Sequence, residues 1–191
     1  MKHCTSPVVV MLDDDIQFKA NHDGKFITAT HGDISEGFSR MATRALEPDT
    51  LFTSLGTTFF NDGTESWSMN GRNSHSFFIN RAIAEEYELT FLGIPTCEDT
   101  YFTLQGLVAG LKNYSYLDLC ATSPTRQTGG EALDGDRGQR HEEAVRILME
   151  KFPQFVRVKE NKNKHHLDNI GTPIDTIVQW KKAYRHGVAS R

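Results

Sequence analysis

The chain has little that would tie it to a membrane, a polyanion or a disulfide framework. No stretch approaches the roughly 20 apolar residues that cross a bilayer. The opening run Pro7-Val8-Val9-Val10-Met11-Leu12 is too short for the core of a signal peptide and runs straight into three aspartates. Cysteine is scarce. Cys4, Cys97 and Cys120 are odd in number and have no paired spacing, so reduced thiols in a cytoplasm (a host's, if the protein is viral) are expected instead of a cross-linked frame. Excess positive charge is missing too. A formal net charge of −4 gives no general pull towards nucleic acid or membrane, and any such contact must come from a local basic patch. Internal repeats and low-complexity tracts are absent.

What remains is an ordinary globular composition, 38% hydrophobic and 24% charged, at 191 residues. That length suits one domain with a real core, residues 1–191. Val8 to Leu12 is a continuous β-branched run, the pattern of a strand buried on both faces of a parallel sheet. Residues 20–32 predict a loop or hairpin. Asp33 is placed to cap a helix to about Ala45, with Ile34, Phe38, Met41, Ala42 and Ala45 on one face; Pro48 ends it. Leu51 to Phe60 predicts a strand, Asn61 to Asn73 a loop around Trp67, and Ser76 to Ile79 another strand before a short helix at Arg81 to Tyr87. The most regular helix is expected from Glu98 to about Leu111, followed by a strand at Tyr114 to Leu119. Residues 121–138 and 159–171 read as surface loops, flanking a helix at Gln139 to Phe152 and a strand at Phe155 to Val158. Pro173 is expected to open a last helix through Trp180 and Tyr184. The order implies an α/β sandwich around one sheet.

Asp13, Asp14 and Asp15 carry the chemistry. Clustered carboxylates at a strand end repel one another unless a cation or hydrogen-bond donors are present. Hard oxygen ligands there suit Mg²⁺ or Mn²⁺, which would clamp a diphosphate. The plainer alternative is a solvated turn. Glu98-Asp99 opens a helix, where its negative charge complements the helix dipole. It serves either as capping or as a carboxylate base that the dipole keeps ionised. Trp67 either packs or stacks on a sugar or base, with Arg72 nearby for phosphate. Thr125 to Gly130 is either a connector or a lid over bound donor, with Arg126 available to phosphate. His165 and His166 are either solvated or metal-binding. Lys159 to His166 is the one basic patch dense enough to suggest a nucleic-acid backbone contact, and a solvated loop explains it equally well.

Val8 to Asp15 resembles the DxD segment of GT-A glycosyltransferases, and Cys97-Glu98-Asp99 resembles that family's later acidic motif. With the Glu-Asp-Thr helix start and Thr128-Gly129-Gly130, the chain looks most like the TET-associated glycosyltransferases of bacteriophages, over about residues 7–180. The resemblance implies a GT-A-like, partly Rossmann-like mixed sheet flanked by helices. It also implies transfer of a sugar from a nucleotide-sugar donor to a hydroxyl, with hydroxymethylated pyrimidine in DNA as the family's acceptor. Carried over, Asp15 is the metal ligand, with Asp13 and His166 beside it. Asp13 and Asp14 contact the donor, with Arg126, Gly129 and Gly130 over it. Asp99, with Glu98 second, is the base. GT-A enzymes have a nucleotide-binding βαβ region before the DxD strand. Its counterpart is not seen ahead of Val8, so an incomplete N-terminus, or a second chain supplying that half, is expected, and with it an apolar open sheet edge. A metal-dependent phosphoesterase or nuclease is one alternative. A degenerate, non-catalytic binding module is the other.

Overall fold

The computed structural model describes residues 5–58, 61, 63–73, 75–123, 136–163 and 170–191. Nine strands and five helices are formed among them. In chain order they are β1 (Val8–Leu12), β2 (Gln17–His22), β3 (Lys25–Thr28), α1 (His31–Ala45), β4 (Thr50–Gly56), β5 (Trp67–Met69) and β6 (Ser76–Asn80). Then come α2 (Arg81–Glu86), α3 (Glu98–Val108), β7 (Lys112–Thr122), α4 (Arg137–Lys151), β8 (Val156–Glu160), β9 (Ile174–Val178) and α5 (Trp180–Ala189). Seven strands form one mixed sheet in the order β1-β6-β4-β7-β2-β3, with β5 also on β7. β4 and β7 are parallel; the other pairings are antiparallel. β8 and β9 make a separate two-stranded ladder.

Alternate residues of the strands serve opposite faces of the sheet, as a period of two requires. On β6, Phe78 packs with Met41 and Ala45 of α1, whereas Phe77 and Ile79 pack with Ala84 of α2 and Phe102 of α3. β4, the central strand, is buried along its whole length. A third apolar cluster joins α3, α4, β8 and α5 through Leu104, Leu107, Leu148, Phe155 and Ala183. The result is a mixed α/β fold with helices on both faces. α5 crosses α3 very closely: a Cβ on Gly187 would collide with the backbone at Leu107, Val108 and Gly110.

Four expectations need correction. β1 is an edge strand, paired antiparallel to β6. Val10, Met11 and Leu12 are therefore 45%, 44% and 42% exposed, not buried on both faces. Val10, Met11 and Leu12 make this edge apolar. Thr30, rather than Asp33, caps α1; Asp33 sits at the third helical position and closes a capping box with the Thr30 N–H at 2.7 Å. The stretch around Trp67 contains a strand, β5, held to Tyr114, Ser115 and Tyr116. The segment after Pro173 is β9, whose Ile-Asp-Thr-Ile-Val sequence is β-branched, and the last helix starts at Trp180.

Candidate functional site

A cleft of about 240 Å³ opens between the tip of β1 and the start of α3. Met11, Leu12 and Asp13 at the end of β1, His75, Phe77 and Phe91, and Glu98 and Asp99 at the start of α3 line it together. Two acidic groups far apart in sequence are thus brought to one hollow. Of the three aspartates Asp13 is the one that lines it, while Asp14 is exposed and Asp15 half-buried outside the lining. Asp15 is therefore not gathered with Glu98 and Asp99 in this cleft. The aspartates also do not sit at a buried strand end, because β1 is the sheet edge.

Asp13 is fixed from two directions. Its backbone N–H donates to the His75 carbonyl at 2.9 Å, and its Oδ2 lies 2.9 Å from His75 Nδ1. A carboxylate only accepts, so Nδ1 carries the proton of the imidazole and Nε2 keeps the lone pair when the ring is neutral. Ser123 Oγ lies 3.3 Å from the same Nδ1. His75 has a left-handed backbone, φ 67°, a conformation that non-glycine residues adopt rarely and that gathers at functional sites.

Across the cleft, α3 starts from Cys97, itself left-handed at φ 60° and providing no side-chain cap. Asp99 instead binds its own helix: the Thr100 N–H donates to Oδ1 at 2.6 Å. Burial pushes the Asp99 carboxyl above its ordinary value, against the opposing influence of Arg72, the Thr100 N–H and His75. The helix start was expected to hold this group ionised. Desolvation outweighs the helix end here, and the carboxylate becomes a stronger base. Burial likewise pushes the neighbouring Cys97 thiol up to about 11, which removes it as a nucleophile near neutral pH.

Arg72 and His75 were not singled out by the sequence as partners of the acidic pair. Their segment is nailed to the sheet. The Asn70 N–H donates to the Asn113 carbonyl at 2.9 Å, and Asn113 Nδ2 donates to the Gly71 carbonyl at 3.0 Å. The Asn73 side-chain oxygen accepts from Ser115 Oγ at 2.5 Å and from Ser54 Oγ. Asn70, Asn73, Asn113 and Ser54 are all buried, so each unmade bond would cost about 1–3 kcal/mol. The exposed Arg72 thus stands on a rigid base. A cluster of buried asparagines in a Gly/Asn/Ser-rich stretch was the signal that could have found it.

Other expected features resolve differently. Trp67 packs: its ring lies 4.6 Å from that of Tyr116, and the Arg44 guanidinium covers it at 4.5 Å. In the basic stretch that begins at the end of β8, Lys159 is paired with Asp175 at 3.1 Å and Lys162 with Glu160 at 3.2 Å; Lys164 lies outside the described residues. Arg126, Gly129, Gly130, His165 and His166 lie outside the described residues. Among the described residues, no three His, Cys, Asp or Glu side chains converge into a shell for an ion. No described helix is long and apolar enough to cross a membrane. No family model matches the chain, and comparison with curated proteins and with solved structures yields no match either.

Proposed function

We propose that the chain carries the catalytic part of a metal-dependent glycosyltransferase of the GT-A type, moving a sugar from a nucleotide-sugar donor to a hydroxyl acceptor. One observation carries this reading: Asp13 and the Glu98-Asp99 pair, far apart in sequence, line a single cleft. A donor diphosphate held at Asp13 would then present its sugar towards Asp99. The mixed sheet with helices on both faces is compatible with a GT-A-like arrangement.

The donor chemistry fits Mg²⁺ or Mn²⁺ only as a shared site. Such ions are commonly held by one or two carboxylates together with substrate phosphates, so a complete protein cage is not required. Asp13 would supply the carboxylate, with His75 orienting it and Asp14 and Asp15 adjacent. The ion, when bound, would neutralise charge building on the leaving diphosphate. The remaining work falls to side chains. Asp99 accepts the proton of the acceptor hydroxyl as the oxygen attacks, and its raised basicity favours that transfer. Arg72 acts on Asp99 electrostatically and offers a cation to anionic substrate at the cleft rim. The acceptor suggested by the resemblance is a hydroxymethylated pyrimidine in DNA.

The test is a panel of nucleotide sugars with Mn²⁺, following release of nucleoside diphosphate, with Asp13→Ala and Asp99→Asn as controls. Metal-dependent release that both substitutions abolish supports the reading. Cleavage of simple phosphate esters without sugar transfer would instead promote the phosphoesterase alternative, for which the Asp13–His75 pair is a ready water-activating couple.

A further inference from the structure

A second and larger hollow, about 840 Å³, lies between β5 and α5. Ser68, Met69 and Gly71 form one wall. Trp180, Tyr184, Lys181 and Arg185 form the other. Trp180 and Tyr184 share one i,i+4 stripe of the helix, and Lys181 and Arg185 share the stripe beside it. Trp180 and Tyr184 are half-buried, with their bodies packed in the cluster that contains Cys97 and Tyr101. Lys181 and Arg185 are exposed, and neither is paired with a carboxylate among the described residues.

Local stability does not explain this charge. The first turn of α5 holds Lys181 and Lys182 and no acid, so the cations face the positive end of their own helix dipole. From Trp180 to Arg191 the chain carries Lys181, Lys182, Arg185, His186 and Arg191 and no aspartate or glutamate. Lys182 is engaged with the Gln154 carbonyl and Arg191 with Asp49. Arg185 Nε donates to the Lys181 carbonyl at 3.2 Å, and over the hollow neither Lys181 nor Arg185 has a carboxylate partner among the described residues, which leaves their charge to an anion from outside. Unlike residues 159–166, where Glu160 stands among the lysines, this stretch has no acid to offset its charge.

Two short links tie the hollow to the elements of the cleft. Gly71 in its wall precedes Arg72, which acts on Asp99, and the Trp180 side packs in the same cluster as Cys97 at the start of α3. Half-buried rings flanked by free cations in an open channel suit a polymer of planar bases joined by phosphates whose bases are unstacked. A duplex keeps its base faces covered and could use the cations alone.

We propose that the β5–α5 groove binds single-stranded nucleic acid, with Trp180 and Tyr184 stacking on bases and Lys181, Arg185 and Arg72 meeting phosphates, so that a strand is led towards Asp99. The inference rests on the transferase reading for what happens at the end of the groove. Strand binding itself needs neither donor nor metal and is measured without them.

The experiment uses the full chain and a fluorescein-labelled 15-nucleotide oligothymidylate, read by anisotropy over a salt series. The unlabelled strand is used for tryptophan fluorescence. The protein has two tryptophans, so Trp67→Phe leaves Trp180 as the sole reporter. Binding with a dissociation constant below about 100 μM at low salt is expected. Lys181→Glu/Arg185→Glu, two exposed positions whose folding is checked by circular dichroism, should weaken it at least tenfold and lower the salt slope by about 1.4. The strand should quench Trp180, and polyphosphate of equal charge should not. The proposal is overturned by absence of strand binding, by unchanged affinity in the folded double variant, by equal binding of polyphosphate with no quenching, or by a preference for duplex. Failure on any of these counts with donor turnover intact would sink the groove and leave the transferase standing; the reverse result would do the opposite.

Discussion

The two acidic groups that face the cleft are built in opposite ways. Asp13 and Asp14 follow an edge strand and are exposed, with Asp13 held by His75 at the lip of the cleft, where a cation can reach it. Asp99 is half-buried at a helix start, beside a left-handed cysteine, and burial raises its proton affinity. One group is suited to meeting a charged ligand and the other to taking a proton. The difference teaches that carboxylate chemistry in this fold is set by depth below the surface, more than by how many acids stand in a row.

The largest expected effect tests the deeper group. Asp99→Asn should lower transfer by about 10²- to 10⁴-fold, the usual worth of a positioned base, with substrate binding little changed. The same variant should be the more stable protein at neutral pH. The raised folded value means the native state holds more protons than the unfolded chain between the ordinary carboxylate value of 3.8 and the value in the fold. Wild-type stability therefore falls as pH rises through that window and then levels, and Asp99→Asn should erase the fall. Thermal melts of both proteins across acid and neutral pH check this; a parallel decline in the variant would remove Asp99 as the source.

Next in size is Asp13→Ala, expected to weaken Mn²⁺ binding in the presence of donor by about 10- to 100-fold, against a change of less than about threefold for Asp14→Asn. Calorimetric titration separates them. Equal losses at both positions would show that the row acts as a unit and would blur the contrast. Gly187→Ala drives a methyl group into the α3 backbone and should cost about 1–3 kcal/mol in chemical unfolding. It should shift Asp99 and leave Asp13 unmoved, visible as backbone amide changes in the α3 region but not at β1. The smallest effect is His75→Asn. The Asp13–His75 pair is partly exposed, so stability should move by less than about 1 kcal/mol while Mn²⁺ affinity drops severalfold.

Much of the fold was readable from periodicity. The apolar stripe of α1 lands in one cluster as spaced, and the regular pattern from Glu98 onward forms α3. The status of β1 was not readable. A run of valines is equally at home in the middle of a sheet and at its margin, and only pairing with β6, distant in sequence, decides which. The meeting of Asp13 with Glu98 and Asp99 depends on the same non-local pairing, so each acidic motif could be found singly while their shared cleft could not. His75 and Arg72 gave no periodic signal, being single polar residues in an irregular stretch. α5 is different: its Trp-Lys-Lys-Ala-Tyr-Arg pattern was in plain view, but was absorbed into a helix expected to begin at Pro173, and the charge along its face went unweighed.

The asparagine clamp beneath Arg72 has an implication for how such a site can diversify. Because Asn73 is locked to hydroxyls on β4 and β7 in the middle of the sheet, the guanidinium above it cannot be relocated by lengthening or softening a surface loop. A new substrate preference at this rim would require coordinated rewriting of Ser54 and Ser115 in the interior, so recognition and folding would have to change hands together.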